Sequence, residues 1–122
     1  MHAKPEQYRQ LSKLFAQCGV DDFLEFTSSL VAILDKEGKF LSWNLSMEKL
    51  KRMLPEAGNV REFLSLPSQI LFDEFLKASL SERTRKQANL EFSWENRWSD
   101  CSALFVPLPQ ERILFIAEPI PA

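Results

Sequence analysis

The apolar positions of the first segment repeat in steps of three and four. From Pro5 to Cys18 this spacing predicts an amphipathic helix, and Gly19 is a typical residue at its C-terminal end. The apolar stripe consists of Tyr8, Leu11, Leu14, Phe15 and Cys18. Such a stripe must be covered, and two interpretations stay open: it packs on the sheet of its own domain, or it meets the same helix of a second copy.

Two runs with strand character follow a stretch, Phe23 to Ser29, that fits one or two helical turns. Leu30 to Leu34 is apolar on both faces, and Phe40 to Trp43 is mixed. The four residues Asp35-Lys36-Glu37-Gly38 start the connection between them. Glycine supplies the positive φ that a short hairpin needs, so the pattern predicts two paired antiparallel strands.

The middle of the chain reads as helical. Asn44 is a suitable N-cap for a helix from Leu45 to Leu54, which Pro55 ends. A short helical turn, Val60 to Leu66, is followed by a helix from Pro67 to Glu82. In the first helix the predicted inward residues are Met47, Leu50, Met53 and Leu54, and the outward ones Glu48, Lys49, Lys51 and Arg52. In the last helix the predicted inward residues are Ile70, Leu71, Phe72, Phe75, Leu76 and Leu80.

The C-terminal part changes to a two-residue period. Ala88 to Trp94 alternates apolar and polar residues, a turn is predicted at Asn96-Arg97, and a strand from Trp98 to Val106 is closed by Pro107-Leu108-Pro109. The last strand, Ile113 to Ala117, is apolar on both faces. Short connections predict an antiparallel sheet covered on one face by helices, an α+β fold, with the two fully apolar strands adjacent at its centre.

Composition excludes several classes of protein. The chain has 122 residues, 45% hydrophobic and 26% charged, and a formal net charge of −2, which is ordinary for one globular domain. This balance gives no reason to expect a nucleic acid or an anionic membrane as partner. No apolar run approaches the roughly 20 residues of a membrane span. The first residues lack the apolar core of a signal peptide, so we expect a cytoplasmic protein.

The sequence offers little catalytic chemistry. His2 is the single histidine, and Cys18 and Cys101 are too far apart for a metal-binding motif, so neither a catalytic residue nor a metal site is predicted. A small enzyme or a trafficking adaptor on a similar sheet would have to use carboxylates. The nearest ones, Asp35, Glu37, Asp73 and Glu74, are better explained as solvated charges.

Two stretches of the chain resemble the PAS family. The run Ser29 to Asn44 is similar to the opening of a PAS domain, with a strand, an Asp-x-x-Gly turn, a second strand and an Asn at the start of a helix. The run Glu111 to Glu118 is similar to its last strand. The resemblance covers roughly Val20 to Pro119. It implies a five-stranded sheet of order 2-1-5-4-3 and a sensory or protein-interaction module, with residues 1–19 as an added helix and 120–122 as a tail.

The resemblance also limits the cofactors. Flavin-adduct PAS domains carry a cysteine in a motif whose counterpart here, Gly58 to Leu64, contains none. Haem-binding members use a histidine on the helix that corresponds to Pro67 to Glu82, which has no histidine. No cofactor is therefore expected, and a non-covalent small ligand stays open.

Two functions follow as expectations. The first is a dimerising interaction module that relays conformation to an output domain elsewhere in a longer polypeptide or on a partner, with Tyr8, Leu11, Leu14 and Phe15 at the homodimer contact. The alternative is a sensor of a small apolar ligand between sheet and helices. Its predicted lining residues are Trp43, Met53, Phe63, Phe72, Phe75 and Leu90. Asn44 is predicted to cap its helix, and in the resembled family this position also ties the strand end to the helix start.

Overall fold

The fold consists of one antiparallel sheet with its helices inserted between the second and third strands. The computed structural model describes residues 29–94 and 97–120. Their elements are β1 (Leu30–Leu34), β2 (Phe40–Trp43), α1 (Leu45–Met53), a 3₁₀ helix (Val60–Phe63), α2 (Leu66–Glu82), β3 (Lys86–Trp94), β4 (Arg97–Leu108) and β5 (Arg112–Pro119). The predicted helix Pro5 to Cys18, with Tyr8, Leu11, Leu14 and Phe15, and the predicted turns from Phe23 lie outside the described residues.

The strand order is β2-β1-β5-β4-β3, which confirms the predicted order and the α+β fold class. The two fully apolar strands, β1 and β5, are neighbours at the centre. Their antiparallel register runs from Leu30 opposite Ala117 to Leu34 opposite Ile113. Both strands are apolar on both faces because each face of the sheet centre is covered by other apolar side chains.

The two faces of the sheet carry separate hydrophobic clusters. The inner face packs against α1, the 3₁₀ helix and α2, and holds the main core. The outer face carries a smaller cluster, in which Val31, Ile33 and Leu114 are buried. Half-buried side chains surround these three: Val106, Leu108 and Ile116. The alternation of side chains along β1 places Val31 and Ile33 on the face opposite to Leu30, Ala32 and Leu34.

The turn between β1 and β2 depends on its aspartate and its glycine. Asp35 Oδ1 accepts hydrogen bonds from the amides of Glu37 and Lys39, at 2.8 and 2.9 Å. Gly38 has a φ of +88°, the left-handed conformation predicted for it. A Cβ at Gly38 would lie 2.9 Å from Cε2 of Phe72, so the turn also closes directly over a core ring.

Side chains at the start of each helix accept hydrogen bonds from its first amides. Asn44 caps α1, as predicted, and Ser65 caps α2, where Pro67 occupies the first turn. Asn59 and Glu62 form a capping box around the 3₁₀ helix. These caps fix where the chain leaves the sheet and where each helix begins.

The predicted inward faces of the helices need correction. Met53 is 56% exposed, because it is turned about 120° around α1 from the buried Met47. Leu54 lies outside the helix and is 41% exposed. On α2, Ile70 is 68% exposed and Leu71 37%, since the buried face follows Phe72 and Leu76. Lys51, predicted to point outward, is half-buried because it lies four residues after Met47 on the same side of α1.

The strand β4 is longer than predicted at both ends. It begins at Arg97, which was predicted in a turn, and continues through Pro107, which pairs with Ile113, to Leu108. A proline lacks only one backbone N–H donor, so the pairing of β4 with β5 continues past Pro107 to Leu108. The turn to β5 is then confined to Pro109, Gln110 and Glu111.

Substituting Gly38 tests the packing of this turn on the core. Gly38→Ala is expected to lower the free energy of unfolding by about 1–3 kcal/mol, because alanine is strained at positive φ and its Cβ meets the Phe72 ring. Chemical denaturation measures this loss. The matched control is Gly58→Ala, where an added Cβ meets no atom within 4 Å. Equal stability of the two variants would contradict the proposed contact.

Candidate functional site

The interior between sheet and helices holds two groups of aromatic rings. In the first, Phe40 lies edge-on to Trp43 and Phe63, with centroids 6.0 and 6.2 Å away. In the second, the ring centroids of Phe105 and Phe115 are 5.3 Å apart, and the centroid of Phe72 lies 5.6 Å from that of Phe105 and 5.8 Å from that of Phe115. The spacings of both groups are typical of closely packed aromatic pairs.

The predicted lining residues divide between these groups. Trp43 and Phe63 belong to the first, while Phe72 and Phe75 belong to the second. Leu90 is buried in the same core cluster. Met53 was wrongly predicted to point inward, and its exposed side chain does not join the other five. Phe92, Phe105 and Phe115, on β3, β4 and β5, also belong to the inner cluster and were not among the predicted lining residues. The alternation of side chains along these three strands is the signal that could have placed them on the inner face.

Lys51 occupies a cation site formed by the first aromatic group. Its ammonium lies 4.3 Å from the centroid of Phe40 and 4.6 Å from that of Trp43, and donates a hydrogen bond of 2.9 Å to the carbonyl of Ala57. Trp43 Nε1 in turn donates to Glu48 Oε1 at 2.6 Å. These contacts attach α1 and the following loop to β2.

Burial changes the acidity of this lysine. The pKa of Lys51 lies below its ordinary value of 10.5 because removal of the ammonium from water outweighs the favourable effect of the Glu48 and Glu62 carboxylates. The unfavourable contribution of the buried charge to stability is fully present below this lowered pKa. It disappears as the pH rises from there through 10.5, since the unfolded chain then also loses the proton.

Asn44 joins the start of β1 to the start of α1 through one buried side chain. Its Oδ1 accepts hydrogen bonds from the amides of Val31 and Met47, at 3.2 and 3.0 Å, and its Nδ2 donates to the carbonyl of Ser29 at 3.0 Å. Asn44 therefore acts both as the cap of α1 and as the link to the start of β1. The predicted cap is present, and the link to a strand is made to the start of β1.

The link continues to the end of the last strand. Ser29 Oγ donates a hydrogen bond of 2.8 Å to Glu118 Oε1 on β5. We call Ser29, Asn44 and Glu118 the junction. It lies where the chain enters β1 and leaves β5, and it connects both places to the cap of α1 by hydrogen bonds.

The remaining candidate groups have structural explanations. Burial and the neighbouring Asp100 raise the pKa of the Cys101 thiol to about 11, so this buried cysteine stays protonated at neutral pH. Asp73 forms an ion pair with Arg61, and Glu37 one with Lys39. Within residues 29–94 and 97–120, no cluster of His, Cys, Asp or Glu could hold a metal ion. No helix in these ranges is long and apolar enough to cross a membrane.

Solved structures of PAS domains share this architecture. The PAS domain of the quorum-sensing receptor RpfR from Cronobacter turicensis, in complex with BDSF, superposes with a TM-score of 0.65 at 16% identity, covering 80% of this chain and 99% of that one. The PAS domain of an HTR-like protein from Haloarcula marismortui superposes with a TM-score of 0.62 at 14% identity, covering 96% of this chain and 100% of that one. A domain of a sensory box sensor histidine kinase/response regulator from Geobacter sulfurreducens superposes with a TM-score of 0.60 at 16% identity. The match covers 87% of this chain and 96% of that one.

The comparisons establish the fold and leave the sequence relationship distant. No protein-family model matches the chain, and no curated protein matches it by sequence. The structural neighbours are PAS domains of sensory and signalling proteins, which agrees with the resemblance noted for Ser29 to Asn44.

Removal of the Asn44 side chain tests the junction. Asn44→Ala is expected to lower the free energy of unfolding by about 2–3 kcal/mol, more than a simple cap, because buried backbone groups lose their partners. Thermal and chemical denaturation measure the loss, and light scattering should show an unchanged oligomeric state. The control is Asn89→Ala at an exposed position of β3. Dissociation of the Asn44 variant, or a loss no larger than that of the control, would contradict this assignment.

The acidity of Lys51 can be measured directly. A side-chain NMR titration should give a pKa below 10.5 for Lys51. Glu48→Gln should lower this pKa further, because it removes a carboxylate that favours the charged form. A value at or above 10.5, or an upward shift in the variant, would contradict the proposed burial of the ammonium.

Proposed function

We propose that this chain, which has the fold of PAS domains, is a sensory input domain of a signal-transduction protein and works as a dimerising interaction module. On this proposal it relays a change of conformation to an output domain elsewhere in the same polypeptide or on a partner. The observation that carries the proposal is the apolar outer face of the sheet, centred on Val31, Ile33 and Leu114.

The outer face is suited to contact with another element. Among the described residues, α1 and α2 contribute to the inner cluster, and no helix contributes to the outer one. Ser42 is paired with Ile33 and shares its face. The Ser42 hydroxyl is buried and has no hydrogen-bond partner within the described ranges, which is uncommon in native proteins and marks a place where a further group approaches.

The N-terminal segment is the proposed contact element. Its apolar stripe, Tyr8, Leu11, Leu14 and Phe15, has the character that such a face requires, and it precedes β1 along the chain. In a two-fold dimer the same stripe of each copy would meet its counterpart beside the sheet. Because β1 begins at the junction, a rearrangement of this contact would reach Ser29, Asn44 and Glu118 through the segment that connects the stripe to β1.

Ligand sensing is the second candidate function. The structural likeness to the PAS domain of RpfR, which was solved with BDSF, favours it. Against it stands the second aromatic group, in which Phe72, Phe105 and Phe115 are fully buried and in mutual contact. These rings occupy the space between sheet and α2 that an apolar ligand would need.

Native mass spectrometry of the freshly purified chain distinguishes the two functions. We expect twice the mass of the polypeptide without added mass. Leu11→Glu combined with Leu14→Glu should yield a folded monomer, because two charges enter the apolar contact. The control, Ala16→Glu with Gln17→Glu, adds the same charge on the other side of the predicted helix and should remain dimeric.

Other outcomes would reject the dimer contact. A monomeric wild-type chain would contradict dimerisation, and unfolding of the Leu11/Leu14 variant would show that the stripe packs on its own sheet. A dimer that persists in this variant would place the contact elsewhere. A mass above that of the polypeptide would identify a bound molecule and favour the sensing function.

A further inference from the structure

A second surface lies at the end of the sheet opposite the junction. Three segments enclose a groove of about 720 Å³ there: the β1–β2 turn, the C-terminal end of α2 and the β4–β5 turn. We call this the turn groove. Its volume lies within the range of ligand-binding clefts. Leu80, Pro107 and Leu108 give it an apolar floor, and charged side chains stand at its rim.

Some charged side chains at the rim of the turn groove form ion pairs, and others do not. Lys36 is paired with Glu111 at 3.8 Å, and Glu37 with Lys39 at 3.7 Å. Lys77 and Arg83, both exposed, have no carboxylate within 4.0 Å among the described residues. The rim therefore presents two uncompensated positive charges above an apolar floor, although the net charge of the whole chain is −2.

The backbone at the same groove adopts unfavourable conformations. Arg83, Gln110 and Glu111 have φ angles of 55°, 65° and 57°, and within residues 29–94 and 97–120 they are the non-glycine residues at positive φ. All three line the turn groove. Glycine or asparagine would be less strained at such positions, so these side chains are present at a cost to folding.

We propose that the turn groove binds a short acidic peptide segment of a partner protein. Acidic side chains of the peptide pair with Lys77 and Arg83, and an apolar side chain between them rests on Leu80, Pro107 and Leu108. Charge complementarity selects an acidic occupant, and a groove lined by three separate segments offers contacts to several residues of one peptide.

The position of the groove connects it to the junction. β1 runs from Ser29 to the β1–β2 turn, and β5 runs from the β4–β5 turn to Glu118. The two central strands thus join the groove to the junction over about 15 Å. Peptide binding at the groove does not require the dimer contact proposed above.

A display experiment tests the proposal. A phage library of random twelve-residue peptides is selected on the immobilised 122-residue chain, and enriched peptides are synthesised with a fluorophore for anisotropy measurements. We expect enrichment of peptides with several Asp or Glu residues and at least one large apolar residue. Their affinity should fall by about tenfold with Lys77→Glu and should weaken with added salt. Lys49→Glu, the same charge change on the exposed face of α1, should leave it within about twofold.

A second variant separates loss of binding from loss of folding. Arg83→Gly relieves the positive φ and is expected to keep or raise the melting temperature while it weakens peptide binding. Amide shifts on peptide addition should concentrate at Ser81, Arg83 and Gln110. Lack of acidic enrichment, equal affinity for the Lys77 and Lys49 variants, or shifts at Val31 and Leu114 instead would overturn the proposal.

Discussion

The pairing of β1 with β5 is the constraint on which the rest of the structure depends. Leu30 lies opposite Ala117, so the first and last described strands form the sheet centre, and both of its faces are built on this pair. Closing so long a loop costs chain entropy that only the burial of both faces can repay. β2 pairs with the free edge of β1, and β4 pairs with the free edge of β5. The helices between β2 and β3 lie across the inner face.

Packing on the inner face then couples distant parts of the chain. Phe72 contacts Phe105 and Phe115 on the sheet, and its ring also limits the β1–β2 turn to glycine at position 38. A single α2 residue therefore determines the contacts of two strands and the conformation of a turn.

Local sequence signals predicted the elements well where one chemical requirement dominated. Gly38 was predicted from the φ that its turn needs, Asn44 from capping, and the central strands from apolar residues on both faces. The junction could not be predicted in full, because Ser29 and Glu118 meet across 89 positions and only the strand order brings them together. Lys51 was misplaced because its charge was weighed more heavily than its position four residues after Met47. The long methylene chain of lysine lets the stem be buried while the ammonium reaches the rings and the carbonyl.

The antiparallel pairing of β1 with β5 also brings the two ends of the described sheet together. The Cα atoms of Leu30 and Ala117 are partners in the ladder, a separation of about 5 Å. A domain with adjoining ends can be inserted into a loop of a host protein, or removed from it, with little change in the spacing of the host's own elements. The same geometry permits a circular permutant, with the old ends joined by a short linker and new ones opened at an exposed turn.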